Sequence, residues 1–212
     1  MFDDLAMMPA RDMVGLFRNR KLSPVEATQA ALKRIAAFDE TYNAFLLTDP
    51  ERALADAAAA EARWMAAKPL GAIDGVPSTI KEVVLSKHWP TRRGSLTTDA
   101  DQECSVDAPC VARMREQGAV FLGKTNSPEF GWKGVTDSPL AGITRNPWNA
   151  ERAAGGSSGG AAVAAALGFG ALHIGNDAAG SVRIPAAFCG IFAHKPTFGQ
   201  VPAYPWEART SL

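Results

Sequence analysis

Histidine and cysteine are scarce in this chain of 212 residues, at three each, and neither sign of charge is in excess, with 22 Lys+Arg against 22 Asp+Glu. The balanced charge provides no basic surface for a polyanion, which argues against nucleic acid as a partner. Cys104, Cys110 and Cys189 are too few and too unevenly spaced for a disulfide framework, and such sparse use fits a reducing compartment. The Cys104–Cys110 spacing matches no zinc pattern, and His88, His173 and His194 lie far apart, so neither a metal nor an organic cofactor is expected. For each histidine, packing in a strand or loop is the expected role. The longest apolar stretch, residues 161–172, is rich in Ala and Gly and too short to span a bilayer. The acidic start, Met1-Phe2-Asp3-Asp4, does not read as a signal peptide. A cytoplasmic protein without membrane attachment is the expectation; oligomeric state is left open.

Glycine and proline, by contrast, are plentiful, at 19 and 14. Ser23-Pro24-Val25-Glu26 is a capping box, predicting a helix that ends near Phe38. Asp49-Pro50 opens a second, alanine-dense helix reaching to about Lys68. Residues 108–117 read as a helix stopped by Gly118, residues 119–123 as a short buried strand, 161–167 as a helix and 171–175 as a strand. Alternating helices and short apolar strands predict an α/β fold, a layered mixed sheet flanked by helices, with residues 1–212 as a single domain. Residues 126–154 are long, turn-rich and irregular, the mark of a functional connection.

Chemistry concentrates at three points. Ser181 follows Asp177-Ala178-Ala179-Gly180 at a predicted strand end, where small residues leave the N–H groups of Ala178, Ala179, Gly180 and Ser181 free to converge on an oxyanion. Asp177 is expected to hold this turn through backbone N–H groups, and Arg183 to buttress it through carbonyl acceptors. Lys81 sits between apolar neighbours after Gly75-Val76-Pro77, where desolvation would free its amine to act as a base. The plain alternative is a surface lysine paired with Glu82. Gly155-Gly156-Ser157-Ser158-Gly159-Gly160 brings a second hydroxyl, able to relay a proton between the other two; the residues alone leave Ser157 and Ser158 in competition for that task. Together these suggest a serine hydrolase that uses no histidine. Trp132, Trp148 and Phe130 read as pocket walls or, more commonly for loop aromatics, as packing anchors.

Gly75-Val76-Pro77 with Lys81, Gly123-Lys124-Thr125-Asn126-Ser127-Pro128-Glu129-Phe130, Asn146-Pro147-Trp148-Asn149, the glycine run and residues 177–190 together resemble the amidase signature family. The likeness covers about residues 23–197 in order. It implies the amidase signature fold and a triad of Lys81, Ser157 and Ser181, with a cis peptide bond before Ser157. It further implies hydrolysis of a small-molecule amide, or of an ester, through an acyl-enzyme, with Ser158 and the residues 178–180 beside the substrate. Two departures stand out. Ala178 and Ala179 replace the family's usual residues, and the chain stops where the family's domain continues, so it reads as a truncated N-terminal portion. The rival from another class is therefore an inert fragment, at most a binding piece. A lesser rival is an α/β-hydrolase esterase with Ser158 in a G-x-S-x-G elbow and Asp177 and His194 as partners. That elbow needs a strand directly before it, whereas residues 149–154 read as polar and turn-like. A phosphate-binding loop fails for want of a Lys-Ser/Thr after the glycines.

Overall fold

A computed structural model describes residues 5–204. Helix α1 (Ala10–Arg18) buries Met13 and Phe17. Helix α2 (Pro24–Tyr42) starts on the capping box: the Glu26 N–H donates to the Ser23 hydroxyl at 3.1 Å, and the Ser23 N–H to the Glu26 carboxylate at 2.8 Å. It runs past Phe38 because its stop signal is Asn43, in the left-handed conformation, rather than the end of the apolar period. Strand β1 (Phe45–Thr48) follows, and then α3 (Pro50–Met65), capped by the Asp49 carboxylate, which accepts the Arg52 N–H. Ala53, Ala57, Ala60 and Trp64 form its buried stripe, in which methyl side chains allow close helix packing.

The sheet continues with β2 (Pro77–Lys81) and, after α4 (Pro109–Glu116), with β3 (Val120–Thr125). Two small antiparallel ribbons come next, β4 (Asp137–Ser138) with β5 (Gly142–Ile143) and β6 (Arg145–Asn146) with β7 (Asn149–Ala153). Helix α5 (Gly159–Leu167), strand β8 (Leu172–Ile174) and helix α6 (Arg183–Cys189) complete the described elements. The four-stranded sheet has the order β1-β3-β2-β8, with β3, β2 and β8 parallel and β1 antiparallel to β3. This is the mixed α/β architecture expected. One detail differs. Residues 149–153 form a strand, but its polar side chains pair in an exposed ribbon with β6 rather than joining the main sheet.

Alternation along β3 covers the sheet on both sides. Val120 and Leu122 pack with Ala31, Ile35, Ala57 and Val163, whereas Phe121 packs with Ile80, Trp89 and Val111. Every residue of β2 and β3 is consequently buried. The same alternation sends Ile80 toward α4 and its neighbour Lys81 toward α5.

Helix α5 approaches the sheet very closely. A Cβ on Gly160 would lie 2.4 Å from both the Ala44 carbonyl oxygen and the Asn126 nitrogen. Helix propensity alone favours Gly160→Ala by about 1 kcal/mol, but backbone oxygen and nitrogen cannot yield as a side chain would. Gly160→Ala is therefore expected to lower stability by about 1–3 kcal/mol, read from the urea midpoint. A gain in stability would contradict this packing.

Candidate active site

Strand β2 carries Lys81 into the interior, where it has no solvent exposure. Its Nζ lies 2.6 Å from the Ser157 Oγ and 2.5 Å from the Asn176 Oδ1. Desolvation pushes the amine down from 10.5 to about 7, against the opposing pull of Asp177 and Glu82. That displacement corresponds to about 5 kcal/mol disfavouring the charged form. The surface Lys81–Glu82 pair does not form. Glu82 is itself buried on the other side of the strand, accepting the Arg93 N–H at 2.5 Å and the Ser127 hydroxyl at 3.4 Å.

The glycine run forms the tight turn ahead of α5. Gly155 has φ 78°, the Gly156–Ser157 peptide is cis, and Ser157 and Ser158 are both buried. A Cβ on Gly156 would sit 2.6 Å from the Val135 backbone, so only glycine lets the turn lie there. The two serines separate by their partners. Ser157 meets Lys81, whereas Ser158 donates its hydroxyl to the Asn176 carbonyl at 3.2 Å and its N–H to the Ser181 carbonyl at 3.0 Å. The latter bond ties the Ser181 turn to the lysine-bearing side of the site.

Asp177 organises that second turn. Its carboxylate accepts the Gly180 N–H at 2.6 Å and the Val182 N–H at 3.2 Å, and receives Arg183 Nε at 2.9 Å and Nη2 at 3.0 Å. The guanidinium and these N–H groups hold the carboxyl well below the usual carboxylate range. Arg183 thus buttresses the turn through a carboxylate, not through the carbonyls anticipated, because a bidentate fork suits a carboxylate better. The convergence of all four N–H groups also needs correction. Gly180 spends its N–H on Asp177, and Ser158 spends its own on Ser181. Among the described residues, the N–H groups of Ala178, Ala179 and Ser181 donate to no protein acceptor. Gly180 takes φ 106°, which a side chain would resist, while Ala179 is not among the residues of positive φ.

The remaining sequence candidates lie elsewhere. His194 is exposed beyond α6, and the Ser158 hydroxyl faces a carbonyl rather than a histidine. His173 pairs with the Thr79 hydroxyl at 2.9 Å, and burial pushes its imidazole down to about 4. Cys189 is buried and its thiol pushed up to about 12. Trp148 is 77% exposed yet anchored by its indole N–H on the Cys189 carbonyl at 2.8 Å; Trp132 and Phe130 are also exposed. Among the described residues, no group of three His, Cys, Asp or Glu side chains is disposed to hold a metal, and no helix is long and apolar enough to cross a membrane. Sequence reasoning overlooked Asn176. Its only signal is position, one step before Asp177 and just past the end of β8.

With this geometry in place, the relationships of the chain become informative. The family model described as Amidase matches residues 26–211, and the chain belongs to that family, the amidase signature enzymes. It is 42% identical over 199 residues to an acylamidase of Rhodococcus erythropolis, covering 94% of this chain and 42% of that protein. To the indoleacetamide hydrolase of Bradyrhizobium diazoefficiens it is 40% identical over 195 residues, covering 92% of this chain and 37% of the relative. Among solved structures, a bacterial aryl acylamidase of the amidase signature family superposes with a TM-score of 0.80 at 36% identity, over 85% of this chain and 37% of that one. The chain spans about 40% of the length of the curated relatives it matches.

The buried amine carries a stability signature. An amine lowered from 10.5 to about 7 binds fewer protons folded than unfolded across that interval, so its contribution to stability rises with pH from about 7 to about 10.5. The stability difference between wild type and Lys81→Met is expected to move by several kcal/mol in favour of wild type over that window, measured by urea unfolding at each pH. A difference independent of pH would mean that the folded and unfolded amines titrate alike.

Proposed function

We propose that this chain carries the reaction centre of an amidase that cleaves a small carboxylic amide, and an ester by the same route. Ser181 is the nucleophile, Ser157 the proton relay and Lys81 the base. The observation that carries this reading is a fully buried amine, brought to about 7, at 2.6 Å from a serine whose neighbour is bonded to the Ser181 backbone. At neutral pH such an amine is substantially uncharged, and its lone pair can accept the Ser157 proton. Ser157 in turn accepts the proton of Ser181 as the Ser181 Oγ attacks the substrate carbonyl carbon. The N–H groups of Ala178, Ala179 and Ser181 are the donors available to the oxygen that becomes negative. Collapse of the tetrahedral species breaks the carbon–nitrogen bond. The ammonium of Lys81 returns its proton through Ser157 to the departing amine, leaving an ester on Ser181. Water then attacks that ester, losing its proton along the same relay, and the carboxylic acid departs as Ser181 recovers its hydrogen. The names of the relatives, acylamidase, indoleacetamide hydrolase and aryl acylamidase, support an amide as the substrate class.

A second reading is a folded piece that contains these groups without turning over substrate. The exposure of Phe188, Phe192 and Phe198, at 52%, 91% and 89%, favours it, since the chain after the nucleophile turn presents apolar side chains to solvent. Labelling with a fluorophosphonate probe decides between the two. A working centre labels wild type and not Ser181→Ala, with a rate rising through pH 7 as Lys81 loses its proton. Ser157→Ala and Lys81→Ala should each slow labelling by about 10²–10⁴-fold, while His194→Ala leaves it unchanged. Wild type that does not label, or labelling that survives Ser181→Ala, would reject the amidase reading.

A further inference from the structure

A relay through Ser157 works only if its hydrogen bond to Lys81 points the right way, and the 2.6 Å separation alone fits either direction. The partners of Nζ narrow the choice. A neutral amine has two N–H donors and one lone pair, so an N–H given to Ser157 would leave the serine unable to pass its proton inward. The amide oxygen Oδ1 of Asn176 only accepts, and at 2.5 Å it takes one N–H from the amine in either protonation state.

We propose that Asn176 is the positioning residue of this centre: its side-chain oxygen engages one N–H of Lys81 and so leaves a single N–H, rather than two, to compete with the lone pair of the amine for the Ser157 hydroxyl. This deepens the reading given above and rests on it. Asn176 is suited to the task by how it is held. Its backbone carbonyl accepts the Ser158 hydroxyl at 3.2 Å, so the turn that presents Ser157 also fixes the residue aiming Lys81. The residue is exposed at the rim, whereas the amine it touches is fully enclosed.

The amide is also the right chemistry because it is uncharged. Lys81 already has two carboxylates in its field, Asp177 just past the end of β8 and Glu82 just past the end of β2. Asp177 is paired with Arg183, and Glu82 interacts with the Lys124 ammonium on β3. His173 on β8 is kept neutral by burial. A third carboxylate at 2.5 Å, unpaired, would favour the ammonium and remove the base. An alanine would do the reverse, withdrawing an acceptor from the ammonium and leaving the amine free to turn its N–H toward Ser157.

The test reads Lys81 directly, through the ¹³C resonance of its Cε in lysine-labelled protein, assigned by its loss in Lys81→Met. Asn176→Asp is isosteric and is expected to raise the titration midpoint of Lys81 by about one pH unit or more; Asn176→Ala should lower it. Fluorophosphonate labelling follows the same variants. Asn176→Asp should label at least about ten-fold more slowly at pH 7 and recover as pH rises through the new midpoint. Asn176→Ala should label slowly at every pH despite its lower midpoint. Midpoints unchanged in both variants, or displaced in the same direction, would overturn the role of Asn176. So would full-rate labelling of Asn176→Ala. The resonance reports on Lys81 even in protein that does not label, so failure of the amidase reading and failure of this inference are separately visible.

Discussion

An amine cannot lose its proton at neutral pH while water surrounds it, so burial of Lys81 is the constraint from which the site is built. Desolvation brings it to about 7 only because both faces of the sheet are sealed. A parallel strand buried on both sides provides that environment at low cost to the fold, since its backbone polar groups are already paired on either edge. The side chain then needs polar contacts that leave it uncharged, and a serine hydroxyl with an amide oxygen meets that need where a carboxylate would not.

Closeness is the second requirement, and glycine supplies it. The turn before α5 passes where a Cβ on Gly156 would collide with the Val135 backbone, and α5 begins where one on Gly160 would meet Ala44 and Asn126. The second turn is held differently. There one carboxylate, Asp177, gathers two N–H groups and a guanidinium, so a loop with little apolar packing of its own is fixed by charge-assisted hydrogen bonds. The Ser158–Ser181 bond joins the two turns, which makes the site depend on their mutual position rather than on either alone.

Local signals in the chain foretold much of this. The capping box at Ser23, the cap at Asp49 and the stop at Gly118 each act through residues a few places apart, and each element was therefore legible. Contacts between distant segments were not. That Ser157 rather than Ser158 meets Lys81 was implied by the family resemblance but not by the residues themselves, since it depends on α5 docking against β2, across 76 residues of chain. Asn176 was invisible for the same reason: an asparagine beside an aspartate has no motif until its partner, 95 residues earlier, is brought to it. The ribbon strand at residues 149–153 escaped notice because alternation of apolar and polar residues marks only strands with a buried face. The donors of the Ser181 turn were miscounted because glycine content reveals that N–H groups can converge, but not which of them a neighbouring carboxylate has taken.

Two lysines make the point about neighbours most clearly. Lys81 and Lys124 lie on adjacent strands, both without solvent exposure, yet they reach opposite faces, since Lys124 is the register partner of Ile80 while Lys81 is that of Thr125. Burial lowers both, Lys124 to about 8 and Lys81 to about 7. Lys124 donates to the Pro90 carbonyl at 3.1 Å and the Thr91 hydroxyl at 2.7 Å, with Glu82 as the main charge opposing its loss of the proton. Glu82 follows Lys81 directly in the chain, but strand alternation turns it away from that amine and toward the lysine of the next strand. Glu82 thus opposes loss of the proton from both amines, as the leading charge for Lys124 and behind Asp177 for Lys81. Lys124 spends its donors on the chain at residues 90–91, while Lys81 spends its own on the Ser157 hydroxyl and the Asn176 amide oxygen, groups of the two turns beside it.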